Sequence, residues 1–212
     1  MDIAILIYDG FTALDAVGPY EVLSCLQKAK VRFVAKEVGP IHTHTKALSL
    51  VADFKLSDLP HPDIVVIPGG TKGTMVASED ESILTWIRKA HESSNWTTSV
   101  CTGALILGAA GILQGLKATT HWYARDHLSQ FGAEYTNDRV VRQGKVITAA
   151  GVSAGIDMAL HLAREVAGKE VAQMIQLLIE YDPKPPFDSG SLMKADKSII
   201  ELAQDAAKSE FE

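Results

Sequence analysis

An α/β architecture on a largely parallel central sheet is predicted for this chain from three observations. Five short apolar runs, at residues 3–8, 31–38, 64–67, 97–100 and 146–149, are rich in β-branched residues, as buried strands are. Stretches of helical character separate several of them, the spacing that parallel strands need because each crossover takes a dozen or more residues. The run that begins at Ala104, with Leu105, Ile106, Leu107, Ala109, Ala110, Ile112 and Leu113, is apolar around nearly its whole circumference and therefore reads as a helix buried on all sides.

The remaining segments fit between these. Residues 18–29 read as the first helix. Residues 47–54 read as a small excursion strand or hairpin, and residues 79–93 as a helix with Glu79, Asp80 and Glu81 at its positive end. Residues 134–147, with Asn137-Asp138 and Gln143-Gly144 as turn signals, suggest strands near a sheet edge. A helix over 153–167 has Ser153 as its cap and Gly168 as its stop. The Pro- and Gly-containing stretch 182–191 ends the core pattern, and residues 198–207 form a last amphipathic helix. One domain over 1–212 is expected, with a helical extension from about residue 188.

Composition narrows the function. Hydrophobic residues make up 47% and charged residues 22% of 212 positions, enough to bury a sizeable core. The net charge of −6, without a Lys/Arg cluster, argues against nucleic acid as a partner. No apolar stretch reaches the roughly 18 residues that span a bilayer, so no membrane partner is expected. The two cysteines, Cys25 and Cys101, and the absence of a basic region before the first apolar run point to a reducing cytoplasm. No CxxC or HxxxH spacing implies a metal, and no cofactor is expected. His42 and His44 alternate as on one strand face, but two histidines make a poor metal site and read as surface polar residues.

The chemistry is expected at Cys101, where the strand at 97–100 breaks directly into the buried helix. A thiol at a helix N-terminus is favoured as thiolate, which can bring it from about 8.5 toward neutral pH. Cys25, in an apolar helical pattern, reads as a packed small hydrophobe. Three islands are candidates to meet the sulfur. Asp15 follows the first strand and could share one proton with the thiol, or could be a loop or capping carboxylate. Gly70, in Pro68-Gly69-Gly70-Thr71 after the strand at 64–67, could pair its N–H with that of Thr102 as an oxyanion-hole-like donor set, or form a simple turn. His121, in Thr119-Thr120-His121-Trp122, could act as a base or satisfy a structural hydrogen bond beside Trp122. Trp122, Tyr123 and Tyr20 are candidates to wall the site.

Together, residues 14–21 (LDAVGPYE), 67–70 (IPGG), 99–104 (SVCTGA), 109–115 (AAGILQG), 118–122 (ATTHW) and 151–157 (GVSAGID) resemble the DJ-1/PfpI superfamily, and within it most of all the isocyanide hydratases. The resemblance runs in order from the first strand through residues 181–187. It implies a flavodoxin-like sandwich, Rossmann-like in its layers, with helices on both sheet faces and usually a homodimer. It also implies Cys101 on a strained strand-to-helix elbow as nucleophile, Asp15 as its acid/base partner, Thr102 and Gly70 as donors of backbone N–H, and a small electrophile such as an isocyanide as substrate. Where the protease-like branch carries a histidine after the nucleophile this chain has Thr102, so a Cys–His peptidase mechanism lacks its base. Two other functions remain open at this level: redox sensing or glyoxal handling of the DJ-1 kind, and a non-catalytic ligand-binding module as in some transcription regulators. The roughly thirty residues after Asp182 are too few for the helix-turn-helix domain those regulators carry.

Overall fold

A computed structural model describes residues 1–211. In chain order it contains β1 (Asp2–Leu6), α1 (Ala13–Leu23), β2 (Lys30–Ala35), β3 (Gly39–His42), β4 (Ser49–Ala52), β5 (Phe54–Lys55) and β6 (Ile64–Ile67). Then come α2 (Lys72–Glu79), α3 (Glu81–Ser93), β7 (Trp96–Val100), α4 (Gly103–Ala109), β8 (Lys117–Ala118), β9 (Glu134–Tyr135), β10 (Val140–Gln143) and β11 (Val146–Ala149). Helices α5 (Ala154–Ala167), α6 (Lys169–Leu178) and α7 (Lys197–Phe211) close the described chain.

Seven strands form the central sheet in the order β10-β11-β7-β6-β1-β2-β5, parallel throughout except for the antiparallel edge strand β10. Strands β6 and β1 lie at its centre, and their residues Ile64, Val65, Val66, Ile67, Ile3, Ala4, Ile5 and Leu6 are fully buried. Two helix groups flank the sheet: α1 packs on α5 and α5 on α6, while α2, α3 and α4 pack on one another. This is the predicted α/β sandwich. The excursion expected near 47–54 is the antiparallel β3–β4 hairpin followed by β5.

Several boundaries differ from the sequence reading. The first helix begins at Ala13 rather than at residue 18, so Pro19 lies inside it and Asp15 falls in its first turn. Packing overrides the proline signal here, because Gly18 lies against Ile156 and Pro19 against Gly155 where α1 meets α5. The helix expected over 79–93 is split at Asp80, which caps α3 by accepting from the Ser82 N–H at 3.0 Å. Ser153 occupies the cap position of α5 without a side-chain capping bond; its hydroxyl accepts from Arg139 instead. Helix α4 stops at Ala109, two residues before Gly111 turns to φ +82°. Of the strands expected near a sheet edge over 134–147, β10 is the edge strand and β11 lies next to it, while β9 pairs with β8 apart from the central sheet. Helix α6 and a 3₁₀ segment, Trp122–Phe131, were not anticipated.

Candidate active site

The carboxyl ends of β1, β6, β7 and β11 converge on one rim, where ligand sites of open parallel sheets form. Cys101 stands at the end of β7 with φ +58°, a left-handed conformation that costs a non-glycine residue about 1–2 kcal/mol. Neighbours over-determine it. Its N–H donates to the carbonyls of Ala149 (3.1 Å) and Ala150 (3.0 Å), and its carbonyl accepts the Thr120 hydroxyl at 2.8 Å. Gly103, two residues on, lets the elbow lie directly against the Ile67 and Pro68 backbone, which a Cβ would strike.

Asp15 is fully buried in the first turn of α1. Its Oδ2 accepts from the Gly69 N–H at 2.9 Å, while Oδ1 is buried without a hydrogen bond of its own. Burial pushes this carboxyl up to about 7, against the opposing pulls of the Gly69 N–H and the Cys101 thiol. The thiol is only 4% exposed. Burial raises it well above its ordinary value, the Asp15 charge adds to that, and the backbone N–H groups of Thr102 and Val152 act in the opposite direction. The expectation of a thiolate stabilised toward neutral pH is thus corrected for the resting site. Helix α4 has seven residues, and its end effects are outweighed by loss of water around the sulfur. The structure does bring Asp15 and Cys101 together, as a buried pair in which two negative charges side by side are disfavoured.

Thr102 and Gly70 also meet, though not as two parallel donors toward the sulfur. The Gly70 N–H donates to the Thr102 hydroxyl at 3.0 Å, and that hydroxyl donates back to the Gly70 carbonyl at 2.7 Å. The donors acting on the sulfur are the N–H groups of Thr102 and Val152. Val152, at the carboxyl end of β11 just before α5, carried no chemical side-chain signal in the sequence.

A cavity of about 310 Å³ holds Cys101, with Thr12 and Gly70 beside it and His121, Trp122 and Val152 along its wall. Ala203, Ala206 and Ala207 of α7 line it as well, and so does His44. His121 accepts the Tyr123 N–H on Nδ1 at 3.4 Å, and its ring lies 5.5 Å from that of Trp122, so the structural hydrogen bond and the place in the site are both present. Burial lowers its affinity for a proton below that of a free imidazole. Tyr20 stacks instead on Phe33, and Tyr123 meets Trp122 edge-on. His42 pairs with the Ser49 hydroxyl in the β3–β4 hairpin, but His44 turns into the rim because its N–H is tied to the Phe11 carbonyl. Sequence reading missed His44 and the alanines of α7, whose only signal was apolar periodicity near the end of the chain. Among the described residues no cluster of three or more His, Cys, Asp or Glu side chains is suited to a metal, and no helix is long and apolar enough to cross a membrane.

The chain is 43% identical over 207 residues to an isonitrile hydratase of Pseudomonas putida, covering 98% of this chain and 90% of that protein. It superposes on the crystal structure of a ThiJ/PfpI family protein from Pseudomonas syringae with a TM-score of 0.95 and 38% identity, covering 99% of this chain and 87% of the other. It is 25% identical to the HTH-type transcriptional regulator CdhR of Pseudomonas aeruginosa over 82% of this chain but only 53% of that protein. Residues 1–165, from β1 through most of α5, match the DJ-1/PfpI family model, and the chain therefore belongs to the DJ-1/PfpI family.

Proposed function

We propose that the protein hydrates organic isocyanides to N-substituted formamides, with Cys101 as nucleophile and Asp15 as proton carrier. The observation that carries this reading is the buried Asp15–Cys101 pair, in which burial pushes the carboxyl up to about 7 and disfavours two negative charges, with Cys101 lining an open cavity of about 310 Å³. The 43% identity to an isonitrile hydratase over nearly the whole chain supports the substrate class.

The steps balance with that single proton. The Asp15 carboxylate takes the Cys101 thiol proton as the sulfur bonds to the terminal isocyanide carbon, and the carboxylic acid so formed gives that proton to the same carbon, leaving a thioimidate and a carboxylate. The carboxylate then takes a proton from water as the hydroxyl adds to the thioimidate carbon, and the second hydrogen of that water ends on nitrogen. Collapse to the formamide breaks the carbon–sulfur bond, and the proton on the carboxyl returns to the sulfur to restore the thiol–carboxylate pair. The N–H groups of Thr102 and Val152 stabilise the sulfur whenever it is anionic, and Gly70 contributes by holding the Thr102 hydroxyl. His121 is a neutral wall group in this scheme.

Burial that raises the thiol also disfavours rapid peroxide oxidation, since thiolate character governs that reaction, and this weighs against redox sensing. Incubation with an alkyl isocyanide is expected to yield the formamide, with Cys101→Ala inactive and methylglyoxal not converted to lactate. Formamide production surviving in Cys101→Ala would refute the mechanism.

A further inference from the structure

The proposed reaction leaves two buried hydroxyl groups next to the site unused. Tyr8 follows β1 and Thr74 lies in α2; both are buried, as is Thr102. The Thr102 oxygen is 2.8 Å from Thr74 Oγ1, and Thr74 Oγ1 is 3.2 Å from the Tyr8 hydroxyl. Both ends of this chain reach backbone of the segment after β6: Tyr8 lies 3.0 Å from the Pro68 carbonyl, and Thr74 and Thr102 lie 2.9 and 2.7 Å from that of Gly70.

Three hydroxyl hydrogens serve these contacts, and they can be arranged in several ways. In one, Tyr8 donates to Thr74, Thr74 to Thr102 and Thr102 to the Gly70 carbonyl. In another, Tyr8 donates to the Pro68 carbonyl, Thr74 to the Gly70 carbonyl and Thr102 to Thr74. In both, the Thr102 oxygen accepts the Gly70 N–H and is held from two sides. The same segment fastens the acid, because Gly69 donates to Asp15 and Gly70, its neighbour, to Thr102. Bracing it therefore sets the carboxyl and the elbow relative to each other.

We propose that Tyr8 and Thr74 are positioning residues, whose hydroxyls hold the Thr102 side chain and thereby aim the Thr102 N–H at the Cys101 sulfur. The inference rests on Cys101 being the nucleophile. An N–H bond to an anion weakens steeply with misalignment, so a Thr102 free to shift stabilises thiolate less. The effect falls on the chemical step, and substrate binding is left alone.

The test is the pH–rate profile of Cys101 alkylation by iodoacetamide, followed by mass spectrometry with Cys25 as internal reference. Thr74→Val is expected to slow Cys101 alkylation at pH 8 about tenfold by shifting its profile toward alkaline pH, and Thr74→Ser to restore it to within about twofold. Tyr8→Phe, which removes the hydroxyl beside Thr74, is expected to slow it about threefold and serves alone if Thr74→Val does not fold. With an alkyl isocyanide, kcat falls in step while KM holds. A Thr74→Val profile that superimposes on wild type, or a Thr74→Ser that fails to restore it, overturns the proposal. Alkylation needs no isocyanide, so failure of the wild type to hydrate isocyanides would sink the assigned reaction and leave the positioning result legible.

Discussion

Asp15 is a carboxyl whose burial works against its charge and whose proposed chemistry uses both of its protonation states. Its midpoint moves from the ordinary 3.8 to about 7, mainly because the charged form loses water. A folded-state value above the unfolded one means that the folded chain binds more protons between those limits. Stability is then fully present below about pH 4, falls as pH rises toward 7 and levels beyond it, with a ceiling of about 4 kcal/mol for three units. Asp15→Asn is expected to flatten this dependence and to raise the melting temperature at pH 8; thermal melts from pH 4 to 8 check it, and an unchanged slope contradicts it. Activity runs the other way. The pair with one proton is the working form, so kcat/KM for isocyanide hydration should rise through a pH near 7 and then hold, since the thiol keeps its proton well above that. Asp15→Asn should lose hydration while Cys101 still accepts iodoacetamide. Hydration retained in that variant would remove the carboxyl from proton transfer.

The elbow between β7 and α4 couples strain to close packing, and the two are separable by mutation. Cys101 carries a left-handed backbone that glycine adopts freely, so Cys101→Gly should gain about 1 kcal/mol of stability while losing all hydration. Gly103→Ala should do the reverse in stability: its methyl meets the Ile67 and Pro68 backbone, which cannot move without disturbing β6, and a loss of more than about 3 kcal/mol is expected. Denaturant melts of both variants decide this, and a stable Gly103→Ala would mean that α4 can slide away from β6. Much of this element-level design was readable in the sequence. The β-branched runs at β6, β7 and β11 lie where they were expected within a residue, and a thiol between a strand and a buried helix marked the elbow. Helix α1 starts five residues before the expected position because contact with α5, which no local pattern records, decides where it begins. The protonation of Cys101 was misread for a related reason: a helix-end effect is local and visible in spacing, whereas burial depends on distant segments such as α7. His44 and Val152 enter the site through backbone register and turn geometry, which no residue pattern records.

At the scale of the folded chain, α7 and the exposed apolar residues make the final argument. Helix α7 contributes only alanines to the wall of the Cys101 cavity, and its described residues are exposed or half-buried, so it covers the thiol at small cost to the core. Ending the chain after Asp196 should therefore speed Cys101 alkylation by about tenfold or more while lowering stability by only about 1–2 kcal/mol. Outside the site, Leu177 is 80%, Phe187 79% and Met193 80% exposed, and Leu178 and Leu202 are also exposed. Large apolar side chains are left in water on α6, on the segment after it and on α7, and we propose that a second copy of this chain covers them. Sedimentation of the wild type should then give close to twice the chain's 22.8 kDa. The paired change Leu177→Lys with Leu178→Ser should return it to one chain without altering the β-sheet, because both side chains point to solvent in the single chain and make little of its core. If the wild type sediments as one chain at micromolar concentration, the apolar residues need another partner. If instead the double variant stays paired, the contact lies elsewhere on the molecule.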